Sequence, residues 1–260
     1  MIPEYLGDKL VNNTGQLTPG TEYREERELR LRRDGQDPPL AKFYFLTKCW
    51  SSHLKEFLVR YKEEHGSPDL ILVLSCLWDI NRWGSGGIAG YKTNCWDLLR
   101  HVKKHMSAKT QVIWLTSPPI AVECHGALMV EGMDKEGMRF NVMEANLMVA
   151  TAAASFGYDV VDLHHMLMHQ VHKRMPDGIH WTQAAVRFQL NLILTHFCLS
   201  RNIPLPRRDS SNFLRHAKRI ADCALEGPVE FVKDRNENHV HDSKRKQQTT
   251  AGQLMKKRRL

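Results

Sequence analysis

The run Asp177-Gly178-Ile179-His180-Trp181 sets a carboxylate three positions ahead of an imidazole. A turn at Gly178 brings the Asp177 carboxylate to one ring nitrogen of His180. That contact fixes the tautomer and leaves the other nitrogen free as a base. This is the acid–base half of acyl transfer, in which the ring takes a proton from an attacking hydroxyl and returns it to the leaving group. Asp-Gly is also an ordinary turn dipeptide, and a histidine before a helix can simply bond backbone, so spacing alone leaves both readings open.

Two further blocks carry polar groups where an apolar run gives way to a loop. In Ser75-Cys76-Leu77-Trp78-Asp79, the residues Ser75, Trp78 and Asp79 are candidates to line a pocket or to stand beside backbone donors for an oxyanion. The alternative is a loop with Trp78 packed on the core. In Thr116-Ser117-Pro118-Pro119, Ser117 lies at the corresponding end of the next apolar run, and its alternative role is that of a plain turn residue. His164, His165, His169 and His172 cluster, but no HExxH pattern, cysteine or carboxylate joins them at ligand spacing, so no metal is expected. Gly84-Ser85-Gly86-Gly87 is not followed by Lys-Ser or Lys-Thr, so no phosphate loop is expected either, and the sequence implies no cofactor.

The elements that must position these residues alternate. Phe43–Leu46 is aromatic and strand-like. Ser51 or Ser52 caps a helix running to about Glu64, with Leu54, Phe57, Leu58 and Tyr61 along one face. Asp69–Leu74 and Gln111–Thr116 are continuous apolar runs of the kind buried on both faces of a parallel sheet, and Tyr158–Leu163 is a third strand. Helices are expected over about Tyr91–His105, Lys135–Phe156 and Thr182–Ser200. Strands alternating with helices predict an α/β fold, a three-layer α/β/α sandwich around a mainly parallel sheet. In such sheets functional groups collect at the carboxyl ends of the strands, which is where all three blocks fall.

The bulk numbers narrow the class. At 260 residues and 42% hydrophobic content the chain can bury one sizeable core. The longest apolar runs fall short of the roughly 18 residues a membrane span needs, and no signal peptide is visible after Met1. An intracellular, reducing location is therefore expected, with the six scattered cysteines as free thiols. Residues 1–40 show little apolar period and read as irregular, with a short edge strand where Leu29 and Leu31 alternate with arginines; residues 41–206 form the domain. Residues 207–260 read as a basic, disordered tail. The net charge of +8 sits largely there, so nucleic acid is not an expected partner of the domain. Lys244–Lys246 and Lys256–Arg259 have the separation of a bipartite nuclear-import signal, which makes an import receptor a candidate partner and the nucleus a candidate location beside the cytoplasm.

Four blocks then add up to a family. Phe43-Tyr44-Phe45-Leu46-Thr47, Ser75-Cys76-Leu77-Trp78-Asp79-Ile80, Asp159-Val160-Val161-Asp162-Leu163-His164 and Asp177-Gly178-Ile179-His180-Trp181 occur in the order and at the spacing of the PC-esterase domain-containing proteins, and the chain resembles that family from about Thr21 to Pro206. The family is a branch of the SGNH, or GDSL-like, acyl-esterase superfamily. The resemblance implies a flavodoxin-like sandwich and hydrolysis or transfer of acyl, often acetyl, groups through a Ser-His-Asp mechanism. By position it makes His180 the general base and Asp177 its orienting partner. It places Trp78 and Asp79 in a block that lines the pocket.

The family pattern opens with a strand ending in Gly-Asp-Ser, whose serine is the nucleophile. Here Leu6-Gly7-Asp8-Lys9 echoes that motif with Lys9 at the serine's place, so Lys9 is not assigned as a nucleophile and the family's first strand is expected to be missing. Two functions follow. One is an acyl esterase drawing a serine from elsewhere, with Ser75 and Ser117 as candidates. The other is a catalytically inactive binding or scaffold protein, or a truncated isoform, on the same fold. Neither identifies the acyl-ester ligand or the oligomeric state.

Overall fold

Charged residues dominate the second of the first three strands. In a computed structural model, which describes residues 4–15, 21–32, 39–82, 87–125 and 137–205, these strands build an antiparallel sheet. Strands β1 (Glu4–Asn13), β2 (Arg24–Arg32) and β3 (Ala41–Leu46) lie in the order β1-β2-β3. The segment expected to be irregular or a lone edge strand is thus two paired strands, with β2 in the middle. Its period is hidden because charged side chains find cross-strand and local partners. Asp8 pairs with Arg27 at 3.6 Å, and Arg27 also pairs with Glu25. Glu26, only 3% exposed, pairs with Arg60 at 2.7 Å and Lys42 at 3.5 Å. The Leu6-Gly7-Asp8 echo has a local cause: Gly7 sits at φ +96° where the register of β1 shifts between Tyr5 and Asp8, a conformation that favours glycine.

Beyond β3 the chain alternates as expected. Helix α1 (Ser52–His65) starts at Ser51, whose hydroxyl accepts from the Leu54 amide at 3.3 Å. Strand β4 (Leu70–Leu74), the short helix α2 (Leu77–Arg82) and α3 (Gly87–His105) follow, then β5 (Gln111–Leu115), α4 (Met138–Ser155), β6 (Asp159–Val161), the short α5 (Leu163–Leu167) and α6 (Gln183–Ser200). Strands β4, β5 and β6 form a parallel sheet in that order. The fold is α/β, with helices on both faces of that sheet. Val112 and Trp114 of β5 join α3 and α4 in one core, while Ile113 and Leu115 point the other way and join Ile193 of α6. Strand β3, expected as part of the parallel sheet, belongs to the antiparallel one instead, because its register with β2 commits its backbone there.

Burial separates two strands that read alike in sequence. From Val112 to Leu115, β5 is no more than 6% exposed. In β4, expected to be covered on both faces, Leu72 is 43% and Leu74 55% exposed. Among the described residues β4 pairs only with β5, so it is an edge. On the α6 face Leu70 packs against the cluster that holds Ile193, whereas Leu72 and Leu74, further along the same face, do not join it. Residues 1–202 form one compact unit, and the tail with its two basic clusters lies outside the described residues. Among the described residues no helix is long and apolar enough to cross a membrane.

Candidate active site

The segment Lys173–Thr182 folds back on itself and presents His180. Arg174 and Trp181 form an antiparallel bridge, the Thr182 amide donates to Lys173 O at 2.9 Å, and the Met175 amide donates to His180 O at 2.7 Å. Inside the loop the Asp177 carboxylate works in two directions. Its Oδ1 accepts from the amides of Ile179 and His180, both at 2.9 Å, and its Oδ2 accepts from His180 Nδ1 at 2.5 Å. In the neutral ring with its proton on Nδ1, Nε2 is the free acceptor, on a side chain that is 78% exposed. The bond from His180, followed by the Ile179 amide, holds the Asp177 carboxyl down to about 2.

A neighbouring loop fixes this turn in place. Gly178 adopts φ +78°, and a Cβ there would stand 2.4 Å from Glu123 O and 2.9 Å from the Ala121 side chain. The close approach lets Gly178 O accept from the Ala121 amide at 2.8 Å and Asp177 O accept from the His125 amide at 2.9 Å. Glycine is therefore required twice at this position, for its conformation and for its lack of bulk.

The other expected residues are placed elsewhere. Asp79 is 2% exposed. Both its oxygens accept from the Cys49 amide, at 2.9 and 3.0 Å, and Oδ2 also accepts from Ser75 Oγ at 2.9 Å. Burial raises its carboxyl above the usual range. Asp79 thus ties the start of α2 to the loop after β3, and Ser75 donates to it and not to His180. Trp78 packs edge-on to Phe45 at 5.9 Å, with the Arg82 guanidinium 5.5 Å from its ring centre. Ser117 is 3% exposed and held through its backbone. Its amide donates to Asn146 Oδ1 at 2.8 Å, and its carbonyl accepts from Asn146 Nδ2 at 2.9 Å and His164 Nδ1 at 3.0 Å.

A cleft of about 380 Å³ opens beside the loop that carries the dyad, between the segment after β5, the first turns of α4 and the segment after α5. None of Ser75, Trp78, Asp79 or Ser117 lines it. The physical reason is that the hydrogen bonds and ring packing just described turn them into the protein. His164 and Arg174 do line the cleft, and Arg174 also donates to Pro119 O at 3.4 Å. Spacing gave no signal for Asn146, which lies 29 residues from Ser117. His164 was visible only as one of a group of histidines. Asp162 caps α5 and accepts from Thr116 Oγ1 at 2.8 Å, and Thr116 Oγ1 accepts from the His164 amide at 2.9 Å; together they orient that ring. Among the described residues no group of histidine, cysteine and carboxylate side chains is arranged to hold a metal.

Sequence relatives agree with the family resemblance. The chain is 32% identical over 206 residues to human PC-esterase domain-containing protein 1A and 31% identical over 206 residues to human PC-esterase domain-containing protein 1B, each match covering 77% of the chain. The chain belongs to the PC-esterase domain-containing family. It spans under half the length of these two curated relatives, 44% and 46% respectively. No family model matches it. Similar solved structures include an acetyl xylan esterase, AlAXEase (14% identity, TM-score 0.40, covering 55% of this chain and 75% of that one). Another is a lipase/acylhydrolase from Enterococcus faecalis (18% identity, TM-score 0.42, covering 58% and 71%). Likenesses this loose carry no weight for the chemistry.

Proposed function

We propose that the domain is the acid–base half of an acyl-ester hydrolase, with His180 as general base and Asp177 as its orienting partner. One observation carries this reading: the 2.5 Å contact between His180 Nδ1 and Asp177 Oδ2, which engages one nitrogen and leaves Nε2 of an exposed ring for an incoming group. In the reaction Nε2 takes the proton of an attacking hydroxyl as its oxygen adds to the ester carbonyl. The same proton then passes to the departing alcohol when the tetrahedral intermediate collapses. Asp177 stays ionised throughout, which its low pKa favours. Membership of a family named for esterases supports the substrate class.

The attacking hydroxyl is the open part of the reading. Among the described residues no hydroxyl bonds His180 Nε2, and the Ser75 hydroxyl is spent on Asp79. That observation favours a second reading, a ligand-binding protein on an esterase fold that keeps the dyad without turnover. Labelling the folded chain with a fluorophosphonate, beside His180→Ala, separates the two. Labelling of one serine that disappears in His180→Ala supports the hydrolase and names its nucleophile. A folded chain that takes no label, and hydrolyses no aryl ester in a His180-dependent way, overturns it in favour of binding.

A further inference from the structure

The cleft of about 380 Å³ is uneven in its chemistry. Its walls are apolar, with Phe140, Met143 and Met168 all more than 40% exposed. Its polar side chains are Arg139, Arg174 and His164, and among the described residues no acidic one lines it. Neither arginine has a carboxylate partner among the described residues. The first turn of α4, which supplies Arg139 and Phe140, holds no acidic side chain and has no side-chain cap, so its backbone end adds positive potential on the same side. His164 Nδ1 is engaged by Ser117 O at 3.0 Å and by Asn146 Nδ2 at 3.2 Å, so the ring is held from the side of that nitrogen.

Two guanidinium groups without counter-ions beside an exposed apolar wall suit one kind of ligand. We propose that this cleft binds a single-chain fatty carboxylate, its head on Arg139 and Arg174 and its tail against Phe140, Met143 and Met168. Guanidinium recognises a planar carboxylate through paired hydrogen bonds, and the volume lies in the range of small-molecule sites. A two-chain lipid exceeds that volume. The inference is independent of the dyad: it requires neither a nucleophile nor turnover, and His180 does not line the cleft.

The test is calorimetric titration of the full chain with decanoate, and with decanol as a neutral chain of the same length, both below their aggregation limits. The expected result is one site for decanoate with micromolar affinity, at least tenfold tighter than for decanol. Arg139→Gln and Arg174→Gln, each shown to melt as the parent does, should weaken decanoate at least tenfold and leave decanol unchanged. His180→Ala should bind decanoate as the parent does, even where it abolishes ester hydrolysis, so failure of the catalytic reading and failure of this one are distinguishable. Equal affinity for decanol and decanoate would mean an apolar groove without anion recognition and would overturn the proposal. So would the absence of decanoate binding by a folded chain, or arginine variants that bind like the parent.

Discussion

Asn146 holds Ser117 with both ends of its amide, accepting from the Ser117 N–H at 2.8 Å and donating to the Ser117 carbonyl at 2.9 Å. A helix side chain thereby imitates a neighbouring strand at the point where β5 ends, and it satisfies backbone groups that are buried beneath the cleft. The Ser117 carbonyl also accepts from His164, so one asparagine sets both the path of the loop and the tilt of the ring.

Replacing Asn146 with Ala leaves the Ser117 N–H without a partner in a buried place, at a cost of about 1–3 kcal/mol for a group so stranded. Asn146→Asp keeps the acceptor and loses the donor, and its carboxylate must be buried, so it should also destabilise. Urea unfolding followed by tryptophan fluorescence checks this. An Asn146→Ala chain as stable as the parent would mean that water replaces the amide without penalty.

Leu74 and Leu115 are direct partners across the β4–β5 ladder yet differ in exposure, 55% against 6%. Leu115→Ala should cost about 2–5 kcal/mol, the range for a leucine removed from a packed core. Leu74→Ala should cost well under half of that, since most of its side chain is already in solvent. Equal losses in equilibrium unfolding would show that β4 is covered in solution.

That pair also marks how far the sequence could be read. The apolar runs at Leu70–Leu74 and Gln111–Leu115 announce strands equally well, because composition reports what a strand can bury and not whether a helix covers it. The antiparallel sheet was hidden for the opposite reason: Glu25, Arg27, Glu26 and Asp8 look like a solvated charge run until pairing brings their partners beside them. Asp177 and His180 were legible because one turn joins them and the Asp-Gly step supplies the positive φ. The bond that Asp79 accepts from the Cys49 amide, thirty residues away, leaves no mark on the sequence around Asp79.

Asp79→Ala removes the acceptor of the buried Cys49 amide and of the Ser75 hydroxyl. The expected loss is about 1–3 kcal/mol for the stranded amide, with packing loss added. Asp79→Asn keeps an acceptor oxygen and relieves the burial of a charge, so it should lie much closer to the parent. Because burial raises the Asp79 carboxyl, the folded form favours the proton, and ionisation of this group draws on stability as pH rises through its folded value. An Asn variant as damaged as the Ala variant would show that the negative charge itself is needed.

Gly178→Ala should dislodge the loop that carries His180. The added Cβ meets Glu123 O at 2.4 Å in a backbone conformation with φ +78°, so either the turn or residues 121–125 must move. The left-handed conformation alone costs a non-glycine residue roughly 1–2 kcal/mol. Any His180-dependent hydrolysis should fall at least tenfold, with a loss of stability at least as large as that strain. Full activity in this variant would detach the loop geometry from catalysis.

Asp177 supplies the acid-pH signature of the site. Its carboxyl is held down to about 2 against an ordinary 3.8, chiefly by the bond from His180. Between those values an unfolded loop binds a proton that the folded loop does not, so the stability of the turn rises with pH across that interval. The contribution is fully present above about pH 4 and is lost as pH falls toward 2. Amide resonances of Ile179 and His180, which both donate to Asp177 Oδ1, report it directly. They should hold their bonded shifts at pH 4 and move together near 2. In His180→Ala the midpoint should climb toward the ordinary value, because the largest cause of the shift is gone. A midpoint near 4 in the parent chain would mean that Asp177 and His180 are not bonded in solution, and His180 would then have no orienting partner for the chemistry assigned to it.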